Sequence, residues 1–389
     1  MTAINPTTNT VKHLESDPLA RANKSLPTHV ELGRWIEKWI GLPFNAIEFI
    51  GLYCVTRPSQ QLLASLDALS HKIEGTLFKD IFSRVLFPAT LIITMVIGLA
   101  LARDGVSLQS VSALSLVLII YGLIFAPLER LFPYSRKWLH GENDLSVDIM
   151  MFFSGIVWGV LSKFLLSLLF ITSLIAWLEP YGHQIWPVSL PAAIQVLLFV
   201  LLKDFFRYWY HRALHEIPFL WRWHAVHHSA HRLYWLNGVR AHPMEILIQT
   251  LVYAIPLALL QPPAEVALVA VFMALSIGIF QHANIDAKLG FWEYIFSIGD
   301  NHRYHHYPNK EVGDSNYGGE FIVWDIVFGT FHKPKGKRPI DAIGLGGSPD
   351  YPQTMAGLMI APFIADQSLF SRKENSVTVA ANVNESSTI

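Results

Sequence analysis

Six stretches of this chain are too apolar and too long to be surface elements of a water-soluble fold. Residues 85–102 run for 18 positions without a charge between Arg84 and Arg103, and residues 105–128 add 24 more. Residues 149–178 are interrupted only by Lys163, residues 180–202 hold no charge beyond what His183 bears, and 246–264 and 266–285 form a pair split by Glu265. Crossing a bilayer takes about 20 apolar residues of helix, because every backbone N–H and C=O must find its partner inside the segment once water is gone. Four to six membrane helices are therefore expected. The composition agrees: 52% of residues are apolar and 15% charged, where a soluble domain carries about 25% charged. The expected fold is all-α, a polytopic membrane helical bundle with a cytoplasmic histidine-rich helical cap.

Basic residues set the topology. Lys72, Lys79 and Arg84 precede the first apolar stretch, Arg130, Arg136 and Lys137 follow the second, and Lys203, Arg207, Arg212, Arg222, Arg232 and Arg240 follow the fourth. The alternate loops are short and nearly free of lysine and arginine. With 149–178 counted as one long tilted span, the positive-inside rule places the basic loops in the cytoplasm. The expected location is an integral multi-pass membrane protein, in a bacterial inner membrane or the endoplasmic reticulum.

Those same loops hold the chemistry. Eleven of the 17 histidines lie between His211 and His306, and eight fall into three patterned groups: His211 and His215 in HRALH, His224, His227 and His228 in HAVHH, and His302, His305 and His306 in HRYHH. Helical positions i, i+3 and i+4 share a face, so each group is expected to aim its rings at one point. Neutral imidazole is a ligand for iron, copper, nickel and zinc, and eight nitrogens exceed what one tetrahedral zinc uses. Two metals are expected. His282, at the end of a membrane helix near the level of the clusters, is a further candidate ligand. Asp286, four residues on, is a candidate oxygen ligand or hydrogen-bond acceptor for a ligand. His242 in RAHPME is a candidate for either role, and Asp204, on the face of His211, a candidate to orient that ring. His13, His29, His71, His140, His183 and His332 have no patterned company.

Five regions follow: a disordered N-terminus, 1–28; amphipathic or interfacial helices, 29–84, with Trp35 and Trp39 as anchors; membrane helices, 85–202; a histidine-cluster catalytic region, 203–335, enclosing the hydrophobic hairpin 246–285; and a loose tail, 336–389. The first residues lack the apolar core of a cleavable signal peptide. Cys54 is alone, which excludes an intramolecular disulfide, and a net charge of −1 argues against a nucleic-acid partner.

HRALH, HAVHHS, HRYHH and the segment NYGGEFIVWDIVFGTF from Asn316 to Phe331, with RAHPME, QHAN and the upstream PLERLFP, resemble the fatty acid hydroxylase superfamily of membrane di-iron oxygenases, also called the sterol desaturase family. The resemblance runs through residues 195–332, weakens toward residue 110 and does not reach the first 84. It implies that the eight clustered histidines hold two iron ions, with His282 a further ligand. Where some members place another histidine four residues later, this chain has Asp286.

The function this implies is dioxygen-dependent hydroxylation or desaturation of a membrane lipid, a sterol or related lipid on the resemblance alone. An ether-lipid monooxygenase and a carotenoid hydroxylase are alternatives within the same chemistry. A histidine-rich metal transporter or metal-binding membrane protein is an alternative of another class. No flavin, haem or nicotinamide motif is visible, so an external electron donor, a cytochrome or ferredoxin with its reductase, is expected. A zinc hydrolase is disfavoured because His215-Glu216 does not complete an HExxH motif.

Overall fold

The computed structural model describes residues 61–141, 144–168, 186–335, 342–346 and 350–364, with single positions 173, 176 and 370. The expectations for the disordered N-terminus, for the anchors Trp35 and Trp39, for Cys54 and for the far end of the 149–178 span fall mostly or wholly outside these residues.

Six long helices form the bundle: α1 (Leu77–Ala102), α2 (Leu108–Leu131), α3 (Asp144–Leu166), α4 (Ala192–Glu216), α6 (Pro243–Leu260) and α7 (Ala264–His282), with the shorter α5 (Pro218–His228) between α4 and α6. No strand of a sheet is present among the described residues; only two isolated bridges, Pro133 to Ile285 and Phe296 to Phe321, occur. Four helices, α1, α3, α6 and α7, are long and apolar enough to cross a membrane. The chain is an all-helical membrane protein.

Helix α7 is the hub. Of its apolar window 61% is buried, against 22% for α1 and 17% for α3 and α6. The outer helices turn Ile92, Leu123, Phe153 and Val160 outward at 61–72% exposure, a continuous apolar surface that only lipid satisfies. Between helices in lipid, association rests on close fit, which small residues permit. Gly98 of α1 shows it: a Cβ there would stand 3.1 Å from the Cβ of Phe272 on α7.

The connections alternate, so one end of the bundle collects six helix termini. Lys288, just past α7, donates its backbone N–H to Ser83 O near the start of α1 (3.1 Å). Glu129, at the end of α2, accepts from the N–H groups of Asn284 (2.9 Å) and Trp235 (2.7 Å). Asp148, at the start of α3, accepts from Arg240 Nε and from the Tyr234 hydroxyl, both at 2.6 Å. All the histidine clusters lie at this end.

The turn between α4 and α5 falls where Pro218 requires it: α4 stops at Glu216, and Pro218 opens α5 at its first turn, where no N–H is needed. The last cluster occupies a short helix, α8 (Asp300–His305). The NYGGEF segment turns at Asn316, φ +55°, and leads to α9 (Val323–Phe328). That helix packs on α4, with Trp324 Nε1 donating to Leu201 O (3.2 Å) and its ring 5.0 Å from that of Phe205. Phe328 adds ring contacts with Phe205 and Tyr208 of α4.

The segment after 336 is not loose throughout. Helix α10 (Met355–Ile360) packs beside α5, where Trp221, Ala225 and Val226 share a buried cluster with Leu358 and Ala361. Gln353 bridges Ser229 O (3.0 Å) and Arg240 Nη1 (3.3 Å).

Candidate metal centre

Nine imidazoles converge at the collecting end. His211, His215, His224, His228 and His305 bring one ring nitrogen each to within 4.8 Å of one another, and His227, His282, His302 and His306 do the same in a second group. The expectation that each cluster aims at one point is corrected. In HAVHH, His224 and His228 serve the first group and His227 the second; in HRYHH, His302 and His306 serve the second and His305 the first. Helical angles explain the division: i and i+4 differ by about 40°, whereas i+3 falls about 60° to the other side of i. An HxxHH helix therefore reaches two neighbouring points, and two such helices facing each other outline both.

The tautomers are fixed from outside. His211 Nδ1 donates to Tyr317 O (2.8 Å), His305 Nδ1 to Ser315 O (2.8 Å) and His227 Nδ1 to Arg240 O (3.1 Å). His224 Nδ1 donates to Glu245 Oε1 (2.8 Å), His215 Nδ1 to Asp314 Oδ1 (3.0 Å) and His282 Nδ1 to Asn237 Oδ1 (2.9 Å). Carbonyl and carboxylate oxygens accept, so six Nδ1 atoms carry the proton and six Nε2 lone pairs are left for the interior. The Asn237 amide cannot be reversed, since its Oδ1 also accepts from Tyr234 N (3.1 Å) and its Nδ2 donates to Arg232 O (2.6 Å).

Inside the groups, Nε2 faces Nε2. The separations are 3.0 Å for His211 to His224, 3.2 Å for His224 to His228, 3.0 Å for His282 to His302 and 3.1 Å for His302 to His306. One proton between such a pair makes at most one hydrogen bond, and the outer bonds have already used the protons of His211, His224 and His282. Between His211 and His224, whose protons both point outward, lone pairs face each other at a distance that a shared cation relieves. With a metal–imidazole bond of about 2.1 Å, ligands 90° apart sit about 3.0 Å from each other and tetrahedral ones about 3.4 Å. The spacing fits imidazoles gathered on a metal, and an all-imidazole donor set suits iron as it does zinc, copper and nickel.

Electrostatics favours the binding form. Burial first, then the neighbouring imidazoles, hold His228, His302 and His306 well below the ordinary histidine range, and His227 at about 4. All four are neutral at pH 7, as a ligand must be.

Of the remaining candidates, three stand outside both groups. Asp204 does not orient His211: its carboxylate accepts from the N–H groups of Gly319 (2.8 Å), Glu320 (3.0 Å) and Phe321 (2.8 Å). It pins the loop whose Tyr317 carbonyl does orient His211. Asp286 faces Lys79, 4.0 Å away, and its N–H is held by Phe132 O (2.7 Å); the chain leaves α7 after His282 and turns it away. His242 caps α6, accepting from Met244 N (3.1 Å), and its ring lies 4.8 Å from that of Trp223. Sequence reasoning missed Glu245, Asp314 and Asn237. Glu245 had a signal, being the acid of RAHPME three residues past the histidine that drew attention.

A cavity of about 340 Å³ adjoins the groups, with His211, His224, His227, His282 and His302 on one wall and Phe152 and Ile156 of α3 among the others.

Comparison with known proteins now adds to the geometry. Residues 196–330 match the fatty acid hydroxylase family. The ornithine lipid hydroxylase OlsE of Rhizobium tropici is 34% identical over 229 residues, 58% of this chain and 68% of the relative. The chain belongs to the fatty acid hydroxylase family. Other members share the histidine region over less of their length: human alkylglycerol monooxygenase is 36% identical over 33% of this chain and 28% of its own, and the C-4 methylsterol oxidase of Schizosaccharomyces pombe 30% identical over 41% and 52%. No solved structure matches. Membership in the fatty acid hydroxylase family makes the chain a membrane oxidoreductase of lipid metabolism.

Proposed function

We propose that the two histidine groups hold two iron ions, five imidazoles around one and four around the other, and that the protein inserts oxygen from dioxygen into a C–H bond of a membrane lipid. The observation that carries the reading is the set of six outward Nδ1–H bonds, which leaves inward lone pairs in two groups beside a cavity reaching the membrane helices. Bound iron supplies the reduction of dioxygen and the attack on an unactivated C–H bond. The protein's part is to hold neutral rings in place and to admit the lipid from the bundle side. The balance is one C–H bond, one dioxygen, two electrons and two protons giving one alcohol and one water. The electrons come from a one-electron carrier protein, a cytochrome or ferredoxin with its reductase, docking on the side where the basic loops lie, which the positive-inside rule makes the cytoplasm.

The stretch shared with an ornithine lipid hydroxylase is longer than those shared with alkylglycerol monooxygenase and the methylsterol oxidase, which favours a polar acyl lipid over the sterol first expected. A metal transporter is disfavoured by position, since both groups sit at one end of the bundle. The test is a lipid profile by mass spectrometry of a host expressing the chain or His227→Ala, in air and without oxygen. An oxygen-dependent lipid one oxygen heavier, absent with His227→Ala, is expected. Identical profiles from iron-loaded protein supplied with a donor would overturn the proposal.

A further inference from the structure

The wall of the cavity that faces into the bundle sets two polar side chains among apolar ones, Leu118, Phe152 and Ile156. Arg207 on α4 and Gln249 on α6 line it, each one helical turn deeper than a residue of the centre: Arg207 stands four before His211, and Gln249 four after Glu245. Four helical residues rise about 6 Å. Arg207 reaches this wall because residue 319 has no side chain. A Cβ on Gly319 would lie 2.1 Å from Arg207 Cδ and 2.3 Å from its Nε, so the arginine stem crosses the glycine α-carbon.

Its charge is only partly answered there. Among the described residues the guanidinium makes one hydrogen bond, Nη1 to Glu320 Oε1 at 3.3 Å, and that same oxygen takes Lys203 Nζ more closely, at 2.7 Å. Among the described residues its other N–H donors make no further hydrogen bond, and Arg207 lines the cavity. A hydrocarbon chain sealed over them would strip a guanidinium of water and return no acceptor, a cost that apolar contacts do not recover. A planar two-oxygen group would match the fork. Size points the same way. About 340 Å³ is near the lower end for cavities that enclose a drug-sized ligand, about 300–1,000 Å³; it takes a head and its first carbons, not a two-chain lipid.

Resting on the oxygenase reading of the site, we propose that Arg207, with Gln249 beside it, selects a lipid that carries a hydrogen-bond-accepting oxygen group a few bonds from the C–H bond attacked. Carboxylate, phosphate and amide carbonyl share this chemistry. Oxygen is then placed in or next to the polar head, not along the hydrocarbon tail, because the acceptor is held about one helical turn from the histidines.

The experiment locates the new hydroxyl by tandem mass spectrometry in lipids of a host expressing wild type, Arg207→Leu or Arg207→Lys, with bound iron measured on each purified chain. The fragment carrying the added oxygen tells a phosphate head from an acyl amino acid. Expected are a hydroxyl in the head or its first few carbons, a loss of about 10- to 100-fold in product for the leucine variant at wild-type iron, and partial recovery with lysine, which keeps a cation for Glu320. A hydroxyl in mid-chain or at the chain end, or undiminished product from iron-loaded Arg207→Leu, overturns the inference and leaves the oxygenase intact. Should the leucine variant lose iron, the lysine variant decides: product reduced at full iron supports selection by the guanidinium, and product unchanged in amount and position refutes it. Iron-loaded wild type that yields no oxygenated lipid with a donor present overturns the oxygenase reading, and this inference with it.

Discussion

Glu245 Oε1 lies 2.8 Å from His224 Nδ1, and both residues are buried. The pair joins the first turn of α6 to the middle of α5, so a carboxylate at the mouth of a membrane helix sets the direction of an imidazole on another element. A metal-bound imidazole becomes more basic when its far N–H meets a carboxylate. Glu245→Ala is expected to weaken iron binding about 10- to 100-fold, as loss of such partners does, and Glu245→Gln, which keeps an acceptor oxygen, by less. Chelator competition on the purified protein measures it. Equal iron retention in both variants would show that His224 is oriented by its own helix.

Asp204 has a different task, and its substitution a different signature. Both of its oxygens accept from backbone N–H groups of 319–321. Asp204→Asn turns an N–H₂ toward at least one of those donors, which costs about 1–3 kcal/mol for an unmet buried hydrogen bond. The expected result is a lower unfolding temperature at nearly unchanged iron affinity. The reverse pattern, lost iron with full stability, would return Asp204 to the metal centre.

The membrane helices were legible because charge is so costly in lipid that its absence over 18 residues is informative by itself. Eight of the nine ligand candidates were legible because imidazole repeats at helical spacing have few other uses, and His282 by its place at the end of a membrane helix. The sharing of each HxxHH helix between two points was not, since it depends on where the facing helix lies. Nor was the choice of carboxylates: Asp204 shares a helical face with His211, yet the NYGGEF loop comes back from more than a hundred residues away to claim it, and Glu245 shares no element with His224. The cover supplied by residues 350–364 was not legible because its apolar residues form too short a run to announce a partner, and their role shows only in the cluster they share with α5.

Acid should loosen the metal-free protein. Burial and neighbouring rings keep His228, His302 and His306 well below the usual histidine value and His227 at about 4, whereas an unfolded chain titrates them near about 6.5. Between these values the unfolded chain holds more protons on these four rings, so their contribution to stability rises with pH, against the opposite contribution of Glu245, whose carboxyl burial raises to about 7. The full contribution is present above about pH 6.5 and is lost as pH falls toward about 4. Unfolding of the apoprotein in detergent, followed from neutral pH into this window, measures it, and His227→Ala should flatten the profile. A profile that His227→Ala leaves unchanged would mean that this ring is protonated in the fold.

The division of the histidines makes a stoichiometric prediction. His215 belongs to the five-membered group and His302 to the four-membered one, and neither ring serves the other centre. If two ions bind, His215→Ala should lower the affinity of one site and His302→Ala that of the other, so that mild chelation leaves each variant with about half the wild-type iron. The double variant should hold none. The centres are not independent, because His228 and His306, one from each group, stack with ring centroids 4.3 Å apart, and loss of one cation removes the charge that its neighbour opposes. Iron per chain, measured by mass spectrometry of the metal, therefore separates the cases: half the iron in both single variants supports two centres, and complete loss in both points to a single site assembled from all nine rings.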